Sequence, residues 1–187
     1  CWSALDGGDR VGGLVFDGHR HREVRPRRSR RTVLALLSEI ESFNRALPLQ
    51  EQPPADSFAD MLANLRRVAK PGSNIYLVSD FQGATSEDAR KHLFQLAQHT
   101  QVTALACSDP LEGTLPRGGR YAVTDGEQRS ELNTANRQLR KDYSERYSLG
   151  QQQLRESMAR LGIPVLQAST AQPPFTLLQT YFGDNRR

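Results

Sequence analysis

The residue best placed to do chemistry is Asp80. It follows Ile75-Tyr76-Leu77-Val78-Ser79, a short apolar run closed by a hydroxyl. Ligands of open α/β sheets gather at the carboxyl ends of parallel strands, and a carboxylate there has two available tasks. It can hold a divalent cation directly or through water, or it can accept the backbone amides of the next turn and cap it. The residue by itself leaves both open.

A second candidate is Arg25-Pro26-Arg27-Arg28-Ser29-Arg30-Arg31, five arginines in seven residues that lead into a helix. Cations oppose the dipole at a helix N-terminus, so the cluster does not serve local stability. Guanidinium groups pair with phosphate or with carboxylates of an acidic protein surface; the plainer alternative is a solvated or internally paired loop. His19 and His21 alternate near a hairpin, so both rings can face one side, but neither a Cys partner nor a His-Glu motif accompanies them. A surface role is expected for both rather than zinc, and His92 and His99 are no better placed. Cys107, inside Val102-Thr103-Ala104-Leu105-Ala106-Cys107, reads as a small buried hydrophobe. Two cysteines make no disulfide framework. The sequence has no Gly-x-Ser-x-Gly and no Gly-rich phosphate loop, since Gly12-Gly13 lies in a predicted strand and Gly118-Gly119 precedes one. A hydrolase or transferase with Asp80 as metal ligand therefore has no nucleophile and base to carry it.

These residues need elements to hold them. The run 10–18, rich in branched and aromatic residues between Gly and Asp, predicts a strand, and Asp17-Gly18 predicts a hairpin to a second strand at 21–24. Val33, Leu34, Leu36, Leu37, Ile40 and Phe43 recur at helical spacing over 32–46. After Pro53-Pro54, Asp56 or Ser57 caps a helix to about 69, with Phe58, Met61, Leu62, Leu65 and Val68 inward. The run 74–79 suits a central parallel strand buried on both faces. Thr85 or Ser86 caps a helix to about 99, and a strand follows at 102–106. Residues 109–134 interrupt the alternation with loops and a small β-ribbon around Asp125-Gly126. A long polar helix over 135–161 carries Leu139, Tyr143, Tyr147, Leu154, Met158 and Leu161, and Gly162 stops it. A strand at Val165-Leu166 and a short helix at 174–181 complete the chain. Strands alternating with helices predict an α/β fold, a mainly parallel central sheet flanked by helices.

Composition bounds the function. The 187 residues, 37% hydrophobic and 25% charged, are enough for one α/β domain with a sizeable core. No apolar run approaches the ~20 residues of a membrane span. The start, Cys1-Trp2-Ser3-Ala4-Leu5-Asp6, has no Met and no signal-peptide pattern, and reads as a trimmed or processed beginning, or as a fragment. The net charge of +4 is modest and rests on Arg, with only Lys70, Lys91 and Lys141 as lysines. Nucleic-acid binding is thus not the expected role, and low cysteine usage suits a reducing cytoplasm.

Several blocks together resemble the DUF58 family: Gly8-Asp9-Arg10-Val11-Gly12-Gly13-Leu14-Val15-Phe16, Arg25-Pro26-Arg27-Arg28-Ser29-Arg30, Leu77-Val78-Ser79-Asp80-Phe81, and Asp109-Pro110-Leu111-Glu112 with Leu115-Pro116 and Gly118-Gly119. They stand in the family's order and span most of the chain. The resemblance implies a single von Willebrand factor A-like, Rossmann-like domain, with 109–134 as a loop and β-ribbon insertion. In that fold a metal-ion-dependent adhesion site, usually holding Mg²⁺, is built from Asp-x-Ser-x-Ser after the first strand, a Thr and a third-loop Asp. Asp80 matches the third-loop Asp. The Thr position falls near Asp56-Ser57, where no Thr stands, and Asp-x-Ser-x-Ser is absent from the sequence. The expectation is that the first strand and most of the first helix lie upstream of Cys1. Asp80, Asp56 and Ser57 would then be an incomplete metal site that does not hold Mg²⁺ firmly on its own. A sheet lacking a central strand would expose an apolar edge and associate or lose solubility.

The resemblance further implies a non-enzymatic protein-interaction adaptor working with a MoxR-type AAA+ ATPase in protein assembly or maturation. The alternative function is binding of nucleic acid or an anionic surface through Arg25, Arg27, Arg28, Arg30 and Arg31.

Overall fold

The structure, a computed structural model, describes residues 1–46, 57–124 and 129–183. A short helix α1 (Trp2–Asp6) leads to β1 (Val11–Phe16) and β2 (His21–Arg27), an antiparallel ribbon closed by Asp17-Gly18. Asp17 Oδ1 accepts the amides of His19 and Arg20, and Gly18 takes φ 90°. Gly12-Gly13 is a structural device rather than a phosphate loop. The register slips between Val11 and Gly13, and a Cβ on Gly12 would stand 2.5 Å from the Val24 carbonyl oxygen. A Cβ on Gly13 would meet Leu36 at 2.7 Å, so the missing side chains let the bulged strand approach its neighbours.

The second strand runs three residues past the expected end at Val24 and takes in Arg25, Pro26 and Arg27. Pro26 is tolerated because it stands at the slip in register, where a Cβ on Gly12 would lie 2.6 Å from its nitrogen. Helix α2 (Arg30–Arg45) covers the ribbon with Val33, Leu36 and Phe43. Leu34, Leu37 and Ile40, expected on its buried face, are instead 57%, 44% and 47% exposed. A two-stranded ribbon is too narrow to cover a wide apolar arc.

The main core lies elsewhere. Strands β3 (Asn74–Ser79), β4 (Gln101–Ser108) and β7 (Val165–Ser169) form a parallel sheet in the order β3-β4-β7. Helices α3 (Ser57–Val68), α4 (Glu87–Ala97) and α6 (Arg137–Arg160) cover one face. Ile75, Leu77, Val102, Ala104 and Ala106 face Leu62, Leu93 and Met158 in a single cluster. Each fully buried Leu or Met there contributes roughly 1.5–3 kcal/mol of transfer free energy. Leu14 and Phe16 of β1 pack against the same cluster, which ties the ribbon to the sheet. Between β4 and α6 lie the one-turn helix α5 (Pro110–Gly113) and a second antiparallel ribbon, β5 (Arg120–Thr124) with β6 (Arg129–Asn133). Asp125 and Gly126, expected at its turn, lie outside the described residues.

The expectation for β3 needs correction. Among the described residues it pairs only with β4, so it is an edge strand and not a central one. The Gln101 amide donates to the Ser73 carbonyl at 2.9 Å, which sets the ladder phase. In a parallel ladder of that phase, the backbone groups of Asn74, Tyr76 and Val78 point away from β4. The side chains of Tyr76 and Val78 are 56% and 59% exposed. Helix α7 (Pro174–Phe182) reaches over only part of this face, where Phe182 meets Tyr76 edge-on at 5.9 Å. Tyr143, expected on the apolar stripe of α6, is exposed as well.

Candidate functional site

Three adjacent parallel strands end in a hydroxyl followed by an oxygen-bearing side chain. The pairs are Ser79-Asp80 on β3, Ser108-Asp109 on β4 and Ser169-Thr170 on β7. Ser108 lies opposite Ser169, and Ser79 opposite Ala106, so the three pairs line one rim of the sheet.

Asp80 caps its own turn. Its Oδ1 accepts the Gln82 amide at 3.0 Å and the Ser79 hydroxyl at 3.3 Å, while Ser79 Oγ accepts the Phe81 amide at 3.2 Å. The turn is sharp enough to force Phe81 to φ 60°, the only left-handed non-glycine among the described residues. Such a conformation costs about 1–2 kcal/mol. Burial of the Phe81 ring, 5.7 Å from that of Phe58, offsets the cost. The same contact seats the first turn of α3 beside the turn after β3. Ser57, the first residue of α3, and Asp80 are each adjacent in sequence to one of the two rings. Asp56, the third expected ligand, lies outside the described residues.

Asp109 was not anticipated as a site residue. It caps α5 by accepting the Leu111 amide at 2.9 Å, and Glu112 reciprocates at 2.8 Å on the Asp109 amide. Its other oxygen accepts the Thr170 hydroxyl at 2.6 Å, which joins the ends of β4 and β7. The Thr170 bond, then the Leu111 bond, holds the Asp109 carboxyl below the usual aspartate range. The spacing Asp109-Pro110-Leu111-Glu112 is a capping-box signal in the sequence. The Thr170 partner has no local signal.

Cys107, expected to be buried, is half-buried near this rim. Burial first, and the Asp80 charge second, push its thiol up, so it stays protonated and a poor nucleophile at neutral pH. The oxygens of Asp80, Ser79 and Ser57 are hard donors of the kind Mg²⁺ takes. Their number is short, and no cluster of three or more His, Cys, Asp or Glu side chains occurs among the described residues.

The arginines are not part of this rim. Arg25 and Arg27 lie on β2, Arg28 in the connection, and Arg30 and Arg31 in the first turn of α2, all exposed. Arg25 pairs with Glu23 at 3.9 Å; among the described residues the other four form no ion pair. Among the described residues, no helix is long and apolar enough to cross a membrane.

No curated protein matches the sequence. Two solved structures align with the chain. The conserved hypothetical protein BatB from Bacteroides thetaiotaomicron aligns over 95% of this chain and 80% of its own, at 15% identity and TM-score 0.50. An uncharacterized membrane spanning protein from Vibrio fischeri aligns over 97% of this chain and 79% of its own, at 20% identity and TM-score 0.27. The first likeness agrees with the mixed α/β architecture and its three-stranded parallel sheet flanked by helices. The model of the family described as "Protein of unknown function DUF58" matches residues 1–153, and the chain belongs to that family.

Proposed function

We propose that the chain is a non-enzymatic protein-binding domain of von Willebrand factor A-like form, an adaptor for a MoxR-type AAA+ ATPase in protein assembly or maturation in the cytoplasm. The observation that carries this reading is the rim itself. Ser79-Asp80, Ser108-Asp109 and Ser169-Thr170 present carboxylate and hydroxyl oxygens from three neighbouring strand ends, with only a protonated thiol beside them. Such a rim recognises amides, hydroxyls and cations, and its Ser79 and Thr170 hydroxyls donate to the neighbouring carboxylates of the turns.

Asp80 is the contact residue. One of its oxygens is taken by the turn, which fixes the carboxylate in direction and leaves the second oxygen to a partner. The donors at this rim among the described residues are too few to grip Mg²⁺ unaided, so an ion there would be shared with the partner or with further residues of the same protein.

The test is isothermal titration of the chain against a MoxR-type ATPase from the same source, with and without Mg²⁺. Binding is expected, and Asp80→Ala is expected to weaken it by at least tenfold, about 1.4 kcal/mol. Absence of binding, or binding indifferent to both Asp80→Ala and chelator, overturns the reading.

A further inference from the structure

The face formed by the end of β2 and the exposed side of α2 combines two features that the rim does not explain. One is charge. Arg27, Arg28, Arg30 and Arg31 are exposed and form no ion pair among the described residues; Glu23 is taken by Arg25 and Glu41 by Arg45 at 2.6 Å, and neither Asp9 nor Glu39 is ion-paired with the four among the described residues. The other is apolar exposure on the same element. Arg30, Leu34 and Leu37 are spaced i, i+4, i+7 and so share one side of α2. Ile40 lies at the margin of that side, toward the ribbon. The helix start has neither an acidic residue in its first turn nor a side-chain cap on Ser29. Nothing local therefore stabilises two arginines placed against the helix dipole.

We propose that this face docks on an anionic lipid bilayer, with α2 lying in the plane of the interface. A helix with an apolar stripe and a basic flank is the form that lies on a membrane surface rather than spanning it. Five arginines fall within the range of about 4–8 cations expected of a polybasic segment drawn to anionic lipid. The long aliphatic stems of Arg extend the apolar surface while the guanidinium groups reach the headgroups. Charge complementarity alone would equally suit nucleic acid. The exposed leucines decide against it, because nucleic acid offers them no apolar partner and the patch has no exposed aromatic ring for base stacking. Phe43, the aromatic of α2, is buried and covered by the Arg20 guanidinium at 4.6 Å. The inference does not depend on Asp80 or on the adaptor reading.

The experiment is co-sedimentation of the purified chain with vesicles of phosphatidylcholine alone and of phosphatidylcholine mixed with phosphatidylglycerol, at low and moderate salt. Partitioning is expected only into the phosphatidylglycerol vesicles and weaker at higher salt. The double variant Arg28→Ala/Arg30→Ala is expected to lower it about 25-fold, roughly fivefold for each arginine. Leu34→Ser/Leu37→Ser is expected to lower it about tenfold. All four positions are exposed, and circular dichroism would verify that both variants stay folded. Three results overturn the proposal: no binding to phosphatidylglycerol vesicles, equal binding to phosphatidylcholine alone, or loss with the arginine variant but none with the leucine variant. The last, joined by tight binding to duplex DNA, would assign the patch to nucleic acid instead.

Discussion

At the strand-end rim the acidic side chains are engaged by their own turns, whereas on the ribbon–α2 face most of the arginines form no ion pair among the described residues. Asp80 and Asp109 each accept a backbone amide of the residues that follow them, and Asp109 also accepts the Thr170 hydroxyl. Arg30 and Arg31 sit where the helix dipole opposes them. The rim thus owes part of its composition to folding, and a functional claim for it must separate recognition from turn geometry. The basic face carries a local cost, and that cost points to a partner outside the chain.

The contrast can be tested first where its effect is largest, at the strained turn that aims Asp80. Phe81→Ala removes a buried ring and keeps the left-handed backbone. It should destabilise the chain by about 3–5 kcal/mol in urea unfolding. Phe81→Gly loses the same ring but relieves the backbone, and should be about 1 kcal/mol less destabilised than the Ala variant. Equal losses would mean that the left-handed conformation costs nothing.

A smaller effect of opposite sign is expected on the other face. Arg30→Glu places an acid where the dipole favours one, and should raise stability by up to about 1 kcal/mol while weakening binding to anionic vesicles. A loss of stability would mean that Arg30 has a structural task, and the contrast between the two regions would fail.

The smallest effect concerns pH. The folded-state pKa of Asp109 is depressed, so its contribution to stability is complete above the unfolded carboxylate range of about pH 4 and is lost as pH falls through the folded value. Acid unfolding of Thr170→Val should therefore begin less steeply than that of the parent, with the two curves converging at low pH. Identical curves at all pH values would remove the Thr170 bond as a support of the rim.

Much of this could be read before any coordinates. The branched and aromatic run at 11–16 and the period near 3.6 in 57–68 are local signals, and both elements form where expected. The Ser86 cap is equally local, its Oγ accepting the Ala89 amide. Failures came where coverage decides. Leu34, Leu37 and Ile40 carry the same periodic signal as Val33, Leu36 and Phe43, and periodicity cannot tell which part of an apolar arc will find a neighbour. The apolar run in β3 announced a strand but not its place: among the described residues it has one partner strand, and no residue of β3 encodes that.

The sequence by itself determined the longer elements, their order and the α/β class, because these depend on spacing within a few residues and on caps within one turn; the short helices α1 and α5 were not among them. It also placed Asp80 at a strand end and the arginines at a helix start. Only the tertiary structure decided that Phe58 at the start of α3 packs on Phe81 in the turn after Asp80. The same holds for the Asp109–Thr170 bond, which spans 61 positions, and for the exposure of the Leu34 side of α2. Each of these depends on contacts between segments distant along the chain, and local spacing carries no record of them.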